Sequence, residues 1–230
     1  MTYSLAIGDR TYSSWSLRGW LLFAKSDIPV DVVSARMYSP EFIDMLKDFG
    51  GGRLVPAIRF DASGGSVIVS DTLAIAETLA ERHPDKHMWP QDPAARGFAR
   101  SITAEMHSGF AALRNDCTMN LRHCYQGFSP SDAVLTDIAR IEKIWSEARS
   151  RWGKSGPWLF GEYSIADAFY APLATRLLTY RLPMSALAKE YVETTINDAS
   201  FKEWRIGGLA ENYVQPGYDM DLQTTPWPNA

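Results

Sequence analysis

A proline-containing segment, residues 83–93, divides this chain of 230 residues into two parts with different hydrophobic patterns. Before it, short apolar and β-branched runs alternate with stretches in which apolar residues recur every three or four positions. After it, only the helical spacing remains. The segment itself holds three prolines and shows no periodicity, which is typical of a linker. We therefore predict an α/β domain over residues 1–82, a linker over 83–93 and an all-helical domain over 94–230.

The elements of the first part follow a specific order. Strand-like runs begin at Tyr3 and Val30, and each is followed by a helical pattern. A third strand is predicted over residues 53–60 and, after a glycine-containing loop, a returning strand over 66–69. Residues 70–72 then begin another helix. Two βα units followed by a hairpin and a helix would cover both faces of one small mixed sheet, which is the arrangement of a thioredoxin-like domain.

Helical patterns account for the second part, apart from its end. Five apolar residues recur about every fourth position and predict one long helix; they are Phe98, Ile102, Met106, Phe110 and Leu113. Ser164 precedes a further helix in which Asp167 occupies the third position, as in a capping box. The last fifteen residues contain three prolines, and we expect them to be irregular.

The composition excludes several classes of protein. Hydrophobic residues make up 46% of the chain and charged residues 22%, and the formal net charge is −4. This balance is typical of a globular protein and predicts neither a nucleic-acid nor a membrane partner. No apolar run approaches the roughly 18 residues of a membrane span, and the first residues lack the pattern of a signal peptide. Two cysteines, Cys117 and Cys124, are too few for a disulfide framework, so we expect buried, reduced thiols, a cytoplasmic location and no metal.

The junction between the first strand and the first helix is rich in hydroxyl groups. Residues 11–14 all carry one, and Ser16 adds another just beyond. A strand that runs into a helix through such residues brings backbone N–H groups and hydroxyls together at a helix N-terminus, where an anion is favoured. A thiolate is one such anion. The alternative is that Ser13 or Ser14 only caps the helix.

Three short motifs resemble those of the cytosolic glutathione transferases. Residues 54–58 are similar to the family's Val-Pro strand, in which the proline is cis and the residue before it pairs with glutathione. Residues 70–75 are similar to its helix start at the γ-glutamyl site, and residues 161–167 to its capping box. The resemblance extends over essentially the whole chain. It implies the glutathione transferase fold, a thioredoxin-like domain followed by a helical bundle, and a homodimer that uses glutathione as co-substrate.

The resemblance also implies positions for glutathione. Asp71 would face its α-ammonium group, Thr72 and the helix N–H groups its α-carboxylate, and Arg53 its glycyl carboxylate. The alternatives are that Asp71 and Thr72 only cap the helix and that Arg53 is a solvated loop charge. The residues expected to bind glutathione are Tyr12, Arg53, Leu54, Val55, Pro56, Asp71 and Thr72.

Three residues are candidates for the hydroxyl that contacts the glutathione sulfur. The stretch 11–18 resembles the serine-type, zeta-like branches of the family. When the stretch is aligned through the helix that follows, the activating serine falls on Thr11. When it is aligned on the hydroxyl pair, the activating serine falls on Ser13 or Ser14. No cysteine lies nearby, which argues against glutaredoxin-like or omega-like thiol chemistry.

We expect the electrophile to bind between the two domains, against the long helix. The candidates are Met106, His107, Phe110 and Arg114, with Tyr213 or Trp227 added if the tail folds back. Met106 and Phe110 are also typical core residues. His107 and Arg114 would suit a small-molecule electrophile that bears a carboxylate.

The resemblance implies a glutathione transferase that activates the thiolate for attack on a small electrophile. One alternative is glutathione-dependent cis–trans isomerisation of a maleyl-type substrate, as in maleylacetoacetate isomerases. The others are a binding protein without turnover and an interaction module of the same fold. The hydroxyl-rich loop, together with Asp71 and Thr72, favours an enzyme over an interaction module, whereas an enzyme and a binding protein are not separable from the sequence.

Overall fold

The computed structural model describes residues 2–50 and 52–228. The elements of the first part are β1 (Tyr3–Ile7), α1 (Ser14–Ala24), β2 (Val30–Ser34), α2 (Pro40–Asp48), β3 (Ala57–Ala62), β4 (Gly65–Ser70) and α3 (Thr72–Arg82). The strand order is β2-β1-β3-β4, with β1 parallel to β2 and β3 antiparallel to both of its neighbours. This is the mixed sheet of a thioredoxin-like domain, and the prediction of that fold is confirmed.

The two faces of β1 explain how the sheet is covered on both sides. Successive side chains of a strand point to opposite faces. Leu5 is fully buried in the main core, which also contains Leu17 of α1 and Leu79 of α3. Ala6 belongs instead to a second cluster, which contains Phe42 of α2. Helices α1 and α3 therefore cover one face of the sheet and α2 covers the other.

The second part of the chain is largely helical. Its elements are α4 (Pro93–Ser108), α5 (Ala111–Asp116), β5 (His123–Tyr125), α6 (Asp132–Trp152), α7 (Ile165–Thr179), α8 (Ala186–Asn197), α9 (Ala199–Ala210) and β6 (Thr224–Pro226). Nearly all of α7 is buried, and it packs against α1 as well as α4, so it joins the two parts of the chain. Within residues 2–50 and 52–228, every helix is too short or too polar to cross a bilayer.

The prediction of one long helix through Leu113 is wrong. Helix α4 ends at Ser108, and Gly109 and Phe110 separate it from α5. Phe110 has a left-handed backbone with a φ of 56°, and a Cβ at position 109 would lie 2.6 Å from the carbonyl oxygen of Glu105. The chain therefore turns where only glycine fits. The apolar spacing does not reveal the break because Phe110 and Leu113 remain buried beyond it.

Two further expectations need correction. The strand predicted from residue 53 begins at Ala57, and the Val55–Pro56 peptide bond before it is cis, as the resemblance implied. The tail is not irregular throughout, because β6 pairs antiparallel with β5, so the second part is not all-helical. A three-residue strand is too short to show an alternating pattern in the sequence. Residues 229 and 230 of the predicted tail lie outside the described residues.

Both cysteines are buried and free, as expected. Cys117 directly follows α5, and Cys124 lies in β5. Burial raises the pKa of Cys117 to about 12 and also raises that of Cys124. Neither thiol is therefore ionised near neutral pH, which agrees with a packing role.

Candidate active site

A cleft of about 650 Å³ opens where the start of α1 faces α5, α7 and the tail. It lies between the two parts of the chain, because residues of both parts line it and α1 packs against α7. Among the residues that line it are Tyr12, Ser13, Ser14, Val55, Arg114 and Arg176. The hydroxyl-rich stretch of the sequence therefore meets the helical part of the molecule at this cleft.

Ser13 is the N-cap of α1. Its Oγ accepts a hydrogen bond from the N–H of Ser16 at 3.2 Å and donates one to Ser16 Oγ at 2.8 Å. The Ser16 hydroxyl also accepts from the N–H of Gly8, at 3.0 Å. The hydroxyl hydrogen of Ser13 is thus used inside the loop, and capping describes its observed geometry.

Ser14 also lines the cleft, but its hydroxyl accepts a hydrogen bond from a buried cation. Arg176 Nη2 lies 3.0 Å from Ser14 Oγ, while Nε and Nη1 of the same arginine donate to the carbonyl oxygens of Cys117 and Pro172. Burial, followed by the charge of Arg114, lowers the pKa of Arg176 to about 10, which leaves it charged at pH 7. Because an arginine only donates, the O–H hydrogen of Ser14 remains available to another acceptor.

Thr11 does not reach the cleft. It is fully buried, and its Oγ1 donates to the carbonyl oxygen of Gly208 in α9 at 2.8 Å. A Cβ at position 208 would lie only 2.9 Å from Thr11 Oγ1, so the glycine allows α9 to approach the loop. Of the three hydroxyl candidates, Ser13 and Ser14 line the cleft, whereas Thr11 is buried beneath α9.

Tyr12 and Tyr218 form one wall of the cleft, with ring centroids 5.2 Å apart. The Tyr12 hydroxyl oxygen accepts a hydrogen bond from Arg122 Nε at 3.2 Å. Burial raises the pKa of Tyr12, so the phenol is neutral near pH 7. Tyr218 belongs to the tail, and sequence reasoning did not single it out.

A second cleft, of about 340 Å³, continues from the first along the loop before β3 to the start of α3. Arg53, Leu54 and Val55 line both clefts, and Pro56, Asp71 and Thr72 line the second. Leu54 is 78% exposed and Arg53 is also exposed. The seven residues expected to bind glutathione therefore border one continuous surface.

Asp71 and Thr72 begin α3 at the second cleft. Asp71 Oδ1 accepts from the N–H groups of Leu73 and Ala74 at 2.8 and 3.4 Å, and Oδ2 lies 3.2 Å from His107 Nε2. Thr72 is fully buried, and its hydroxyl has no hydrogen-bond partner among the described residues. Asp71 thus caps the helix, while the Thr72 hydroxyl and the helix N-terminus retain the features of an anion site.

Arg53, Arg114 and Arg176 line the first cleft, and Arg18 is buried behind Trp15. The guanidinium carbons of Arg18 and Arg114 lie 4.6 and 5.2 Å from the ring centroid of Trp15. Burial, followed by the charges of Arg114 and Arg176, lowers the pKa of Arg18 to about 9. Every ion pair seen within residues 2–50 and 52–228 involves other side chains. These arginines therefore form no ion pair with a carboxylate of the described chain, which favours an anionic ligand.

Comparison with known proteins agrees with this geometry. Residues 12–82 match the family model of the glutathione S-transferase N-terminal domain. A probable maleylacetoacetate isomerase from Caenorhabditis elegans is 30% identical over 181 residues, which cover 76% of this chain and 79% of that protein. This chain belongs to the cytosolic glutathione S-transferase family. A maleylacetoacetate isomerase from Rattus norvegicus is also similar to this transferase, with 25% identity over 76% of this chain and 78% of its own.

Solved structures show the same fold. A Burkholderia glutathione transferase homolog with bound glutathione superimposes on this transferase with a TM-score of 0.66 and 20% identity, over 92% of this chain and 100% of its own. Glutathione transferase Omega 2S from Trametes versicolor has a TM-score of 0.66 and 19% identity, over 91% of this chain and 95% of its own. The predictions of the family, of its fold and of a glutathione transferase enzyme are confirmed.

The candidates for the electrophile site of this transferase are distributed over several places. Arg114 lines the first cleft. Met106 and Phe110 are buried in the core, and neither is among the residues that line this cleft. His107 instead faces Asp71 and packs edge-on against Trp15. The break after α4 explains this distribution, because it turns α5, and Arg114 with it, toward the cleft.

The tail does fold back, but its two candidate aromatics serve elsewhere. The Tyr213 hydroxyl hydrogen-bonds to the carboxylate of Asp9. Trp227 donates to the carbonyl oxygen of His123 at 3.0 Å and stacks on Phe201. The tail residue that lines the cleft is Tyr218.

Arg176 is a charged residue of the first cleft that sequence reasoning missed. It is the only charged residue between the capping-box acid Asp167 and the end of α7 at Thr179, in a helix that is otherwise almost wholly buried. A lone cation in such a helix needs buried acceptors or an anion. The lone arginine could be seen in the sequence, but its contact with Ser14 could not.

Proposed function

We propose that this transferase binds glutathione with its sulfur beside Ser14 and adds the thiolate to a small electrophile that carries a carboxylate. The observation that carries the proposal is the hydrogen bond from Arg176 to Ser14 Oγ. It occupies an acceptor site of the hydroxyl and leaves the O–H hydrogen for an anion in the cleft. Ser13 would support this arrangement as the helix cap.

Ionisation of the thiol is the step that needs the protein. A free cysteine thiol titrates near pH 8.5, so only a few per cent is thiolate at pH 7. Lowering the pKa by about two units requires roughly 2.7 kcal/mol of preferential stabilisation of the anion. The Ser14 hydroxyl, the positive end of α1 and the charge of Arg176 are suited to provide it.

The remaining groups of glutathione fit the second cleft. The backbone of Val55 would pair with the cysteinyl unit next to Pro56, with Leu54 alongside. Asp71 would attract the α-ammonium group with the carboxylate that also caps α3. The Thr72 hydroxyl, which has no partner among the described residues, would donate to the α-carboxylate at the helix N-terminus.

Two groups complete the glutathione site. Arg53, exposed at the junction of the two clefts, would bind the glycyl carboxylate. Tyr12 would border the sulfur as a neutral wall residue, because burial raises the pKa of its phenol. No metal takes part in this scheme.

The substrate class follows from the charges around the first cleft. Arg114 and Arg176 line it, and Arg18 lies behind Trp15. An electrophile with a carboxylate would bring these cations the counter-charge that the described carboxylates do not supply. His107 is not placed to do so, because its Nε2 faces Asp71.

Cis–trans isomerisation is the second candidate, and the names of the curated relatives favour it. Maleylacetoacetate carries two carboxylates and a cis double bond conjugated to a carbonyl. The thiolate would form a C–S bond to one alkene carbon, while the π electrons move onto the carbonyl oxygen as an enolate. After rotation about the resulting single bond, the enolate electrons re-form the double bond and the C–S bond breaks. In conjugation the enolate takes up a proton instead.

We also propose that the chain forms a homodimer, as the family resemblance implies. Sedimentation equilibrium of the purified protein at micromolar concentration tests this point. We expect twice the mass of the chain, and a monomer at all concentrations would contradict the proposal.

The function is tested by comparing two acceptors in the presence of glutathione. Chlorodinitrobenzene is a neutral conjugation substrate, and a maleyl-type dicarboxylate reports isomerisation through the change in its ultraviolet absorbance. Arg114→Ala should lower kcat/KM for the dicarboxylate by about tenfold or more and affect the neutral acceptor less. Arg151→Ala, an exposed arginine of α6, is the matched control.

Three results would change the conclusion. Equal losses for both acceptors in Arg114→Ala would remove the carboxylate-binding role. Thermal stabilisation by glutathione without turnover of either acceptor would favour a binding protein. No stabilisation by millimolar glutathione would contradict glutathione binding itself.

A further inference from the structure

The loop of residues 8–13, between β1 and α1, is held by the end of the chain. Glu211 follows α9, and its Oε1 accepts a hydrogen bond from the N–H of Arg10 at 2.9 Å. Its Oε2 lies 3.5 Å from the N–H of Thr11, a longer contact of the same kind. One carboxylate therefore faces two consecutive backbone donors of a loop about 200 positions away in the chain.

Helix α9 reinforces this contact. Trp204 Nε1 donates to the carbonyl oxygen of Arg10 at 2.8 Å, and Thr11 Oγ1 donates to that of Gly208, also at 2.8 Å. A Cβ at position 207 would lie 2.9 Å from Arg10 Nη1. Because this atom ends a flexible side chain, Gly208, which faces the backbone of Thr11, is the glycine that allows α9 to lie directly on the loop.

The tail adds two links beyond Glu211. Tyr213 donates its O–H to the buried carboxylate of Asp9, at the start of the loop. Arg122 Nη2 donates to the carbonyl oxygens of Glu211 and Tyr213 at 2.6 and 2.8 Å, and its Nε donates to the hydroxyl oxygen of Tyr12. The tail backbone is therefore linked to a side chain that lines the cleft.

We propose that Glu211 is a positioning residue of the thiol site, because its carboxylate fixes the loop that presents Ser13 and Ser14. The inference rests on the proposed function, in which the glutathione sulfur lies beside Ser14. The N–H of Ser13 donates to the carbonyl oxygen of Asp9 at 2.8 Å, so a shift of the loop is passed on to the first residues of α1. Glu211 itself is not among the residues that line the cleft and acts only through the backbone of the loop.

Glu211→Gln is the informative substitution because it keeps the size of the side chain. A carboxylate offers an acceptor to each of the two N–H groups. A carboxamide offers one acceptor and turns an NH₂ donor toward the other N–H, so one loop contact is lost. Glu203→Gln is the matched control, since Glu203 is an exposed residue of α9, the helix that Glu211 follows.

Two measurements on the protein test the proposal. Hydrogen–deuterium exchange of the peptide covering residues 8–16 reports how firmly the loop is held. The ultraviolet absorbance of bound glutathione against pH gives the pKa of its thiol. In Glu211→Gln we expect this peptide to exchange about tenfold faster and the bound thiol pKa to rise by about one unit. At pH 7, kcat should fall by up to about tenfold, while KM for glutathione changes less than about twofold.

The outcomes distinguish the role of Glu211 from the proposed function itself. Glu203→Gln should match the wild type in both measurements. A Glu211→Gln protein with wild-type exchange and thiol pKa would overturn the positioning role, and so would a lower melting temperature with an unchanged thiol pKa. A wild-type complex whose thiol titrates as free glutathione would overturn the proposed function instead. If Glu211→Gln does not fold, Tyr213→Phe removes the O–H that links the tail to Asp9 in the same loop and should shift both values in the same direction by less.

Discussion

Helices α1 and α7 of this transferase both begin with a serine cap, and they differ in what faces their first N–H groups. At α7 the cap is Ser164, and Asp167 Oδ2 accepts from its N–H at 2.9 Å. The other oxygen of this buried carboxylate accepts from the N–H of Leu159 and the O–H of Tyr191, at 3.1 and 3.0 Å. At α1 the cap is Ser13, and the next three residues are Ser-Trp-Ser, without an acid.

The contrast shows when a helix start becomes a binding site. The chain itself supplies the negative group at α7, so the positive end of that helix is neutralised inside the protein. At α1 the nearest charged partner of the first turn is Arg176, which adds a second positive influence beside Ser14. An anion from outside is therefore favoured at α1 and not at α7. Arg176 belongs to α7, so one helix supplies the cation that faces the proposed thiolate site at the start of the other.

Removing the acid from the α7 start should have the greatest consequence. Asp167→Ala leaves buried donors of Leu159, Ser164 and Tyr191 without an acceptor. We expect the free energy of unfolding, measured in urea, to fall by about 3–5 kcal/mol. Asp132→Ala, at the exposed first turn of α6, is the control and should cost less than about 1 kcal/mol. Similar losses in both variants would mean that the α7 start is not special.

The same carboxyl should make stability depend on pH. Burial raises the pKa of Asp167 from 3.8 to about 6, although hydrogen bonds from Leu159 and Ser164 oppose the shift. The unfolded chain then loses this proton at lower pH than the folded protein does, so stability falls as pH rises from about 4 to about 6 and is level above. The fall is at most about 3 kcal/mol. Urea denaturation of wild type and Asp167→Asn checks it, and a stability difference that stays constant over this range would contradict the shift.

Neutralising the cation beside α1 should affect activity rather than folding. Arg176→Gln keeps a hydrogen-bond donor but removes the charge that faces Ser14 and the substrate. We expect kcat/KM to fall by about 100-fold for a carboxylate-bearing acceptor and by about tenfold for a neutral one, because only the former loses both interactions. Arg181→Gln, at an exposed position just beyond α7, should behave as the wild type. An effect of equal size on both acceptors would limit Arg176 to the thiolate.

The smallest effect separates the hydroxyls at the α1 start. Ser14→Ala should raise the pKa of the bound glutathione thiol by about one unit, since one donor to the sulfur is lost. Thr11→Val should shift it by less than half of that and lower stability by about 1 kcal/mol, because Thr11 bonds to Gly208. The thiolate absorbance against pH measures both variants. A larger shift in Thr11→Val than in Ser14→Ala would reverse the assignment.

Much of the fold is readable from local patterns. The order of strands and helices, the cap at Asp71 and the acid at Asp167 all follow from residue type and spacing over a few positions. The break at Gly109 was not readable, because the apolar spacing continues across it while the backbone turns. The pairing of the tail with β5 was missed as well, since it depends on contacts about 100 positions apart.

The candidate site divides in the same way. Residues 53–56 and 70–72 were predicted from their motifs, and the structure places them along the second cleft. The choice among Thr11, Ser13 and Ser14 was not, because it depends on which elements pack against the loop. Gly208 covers Thr11 and Arg176 faces Ser14, and both partners lie more than 160 positions away.

The sequence alone therefore specified a hydroxyl-rich helix start in a thioredoxin-like domain of a glutathione transferase. Local spacing is enough for the helix start and the domain, because caps, turns and hydrophobic periodicity act within a few residues, whereas the family came from the resemblance of three motifs. Only the tertiary structure decided which hydroxyl is open, which cations surround it and which carboxylate holds its loop. Those properties arise where α7, α9 and the tail pack against the start of α1, and contacts between distant segments leave no periodic signal in a single sequence.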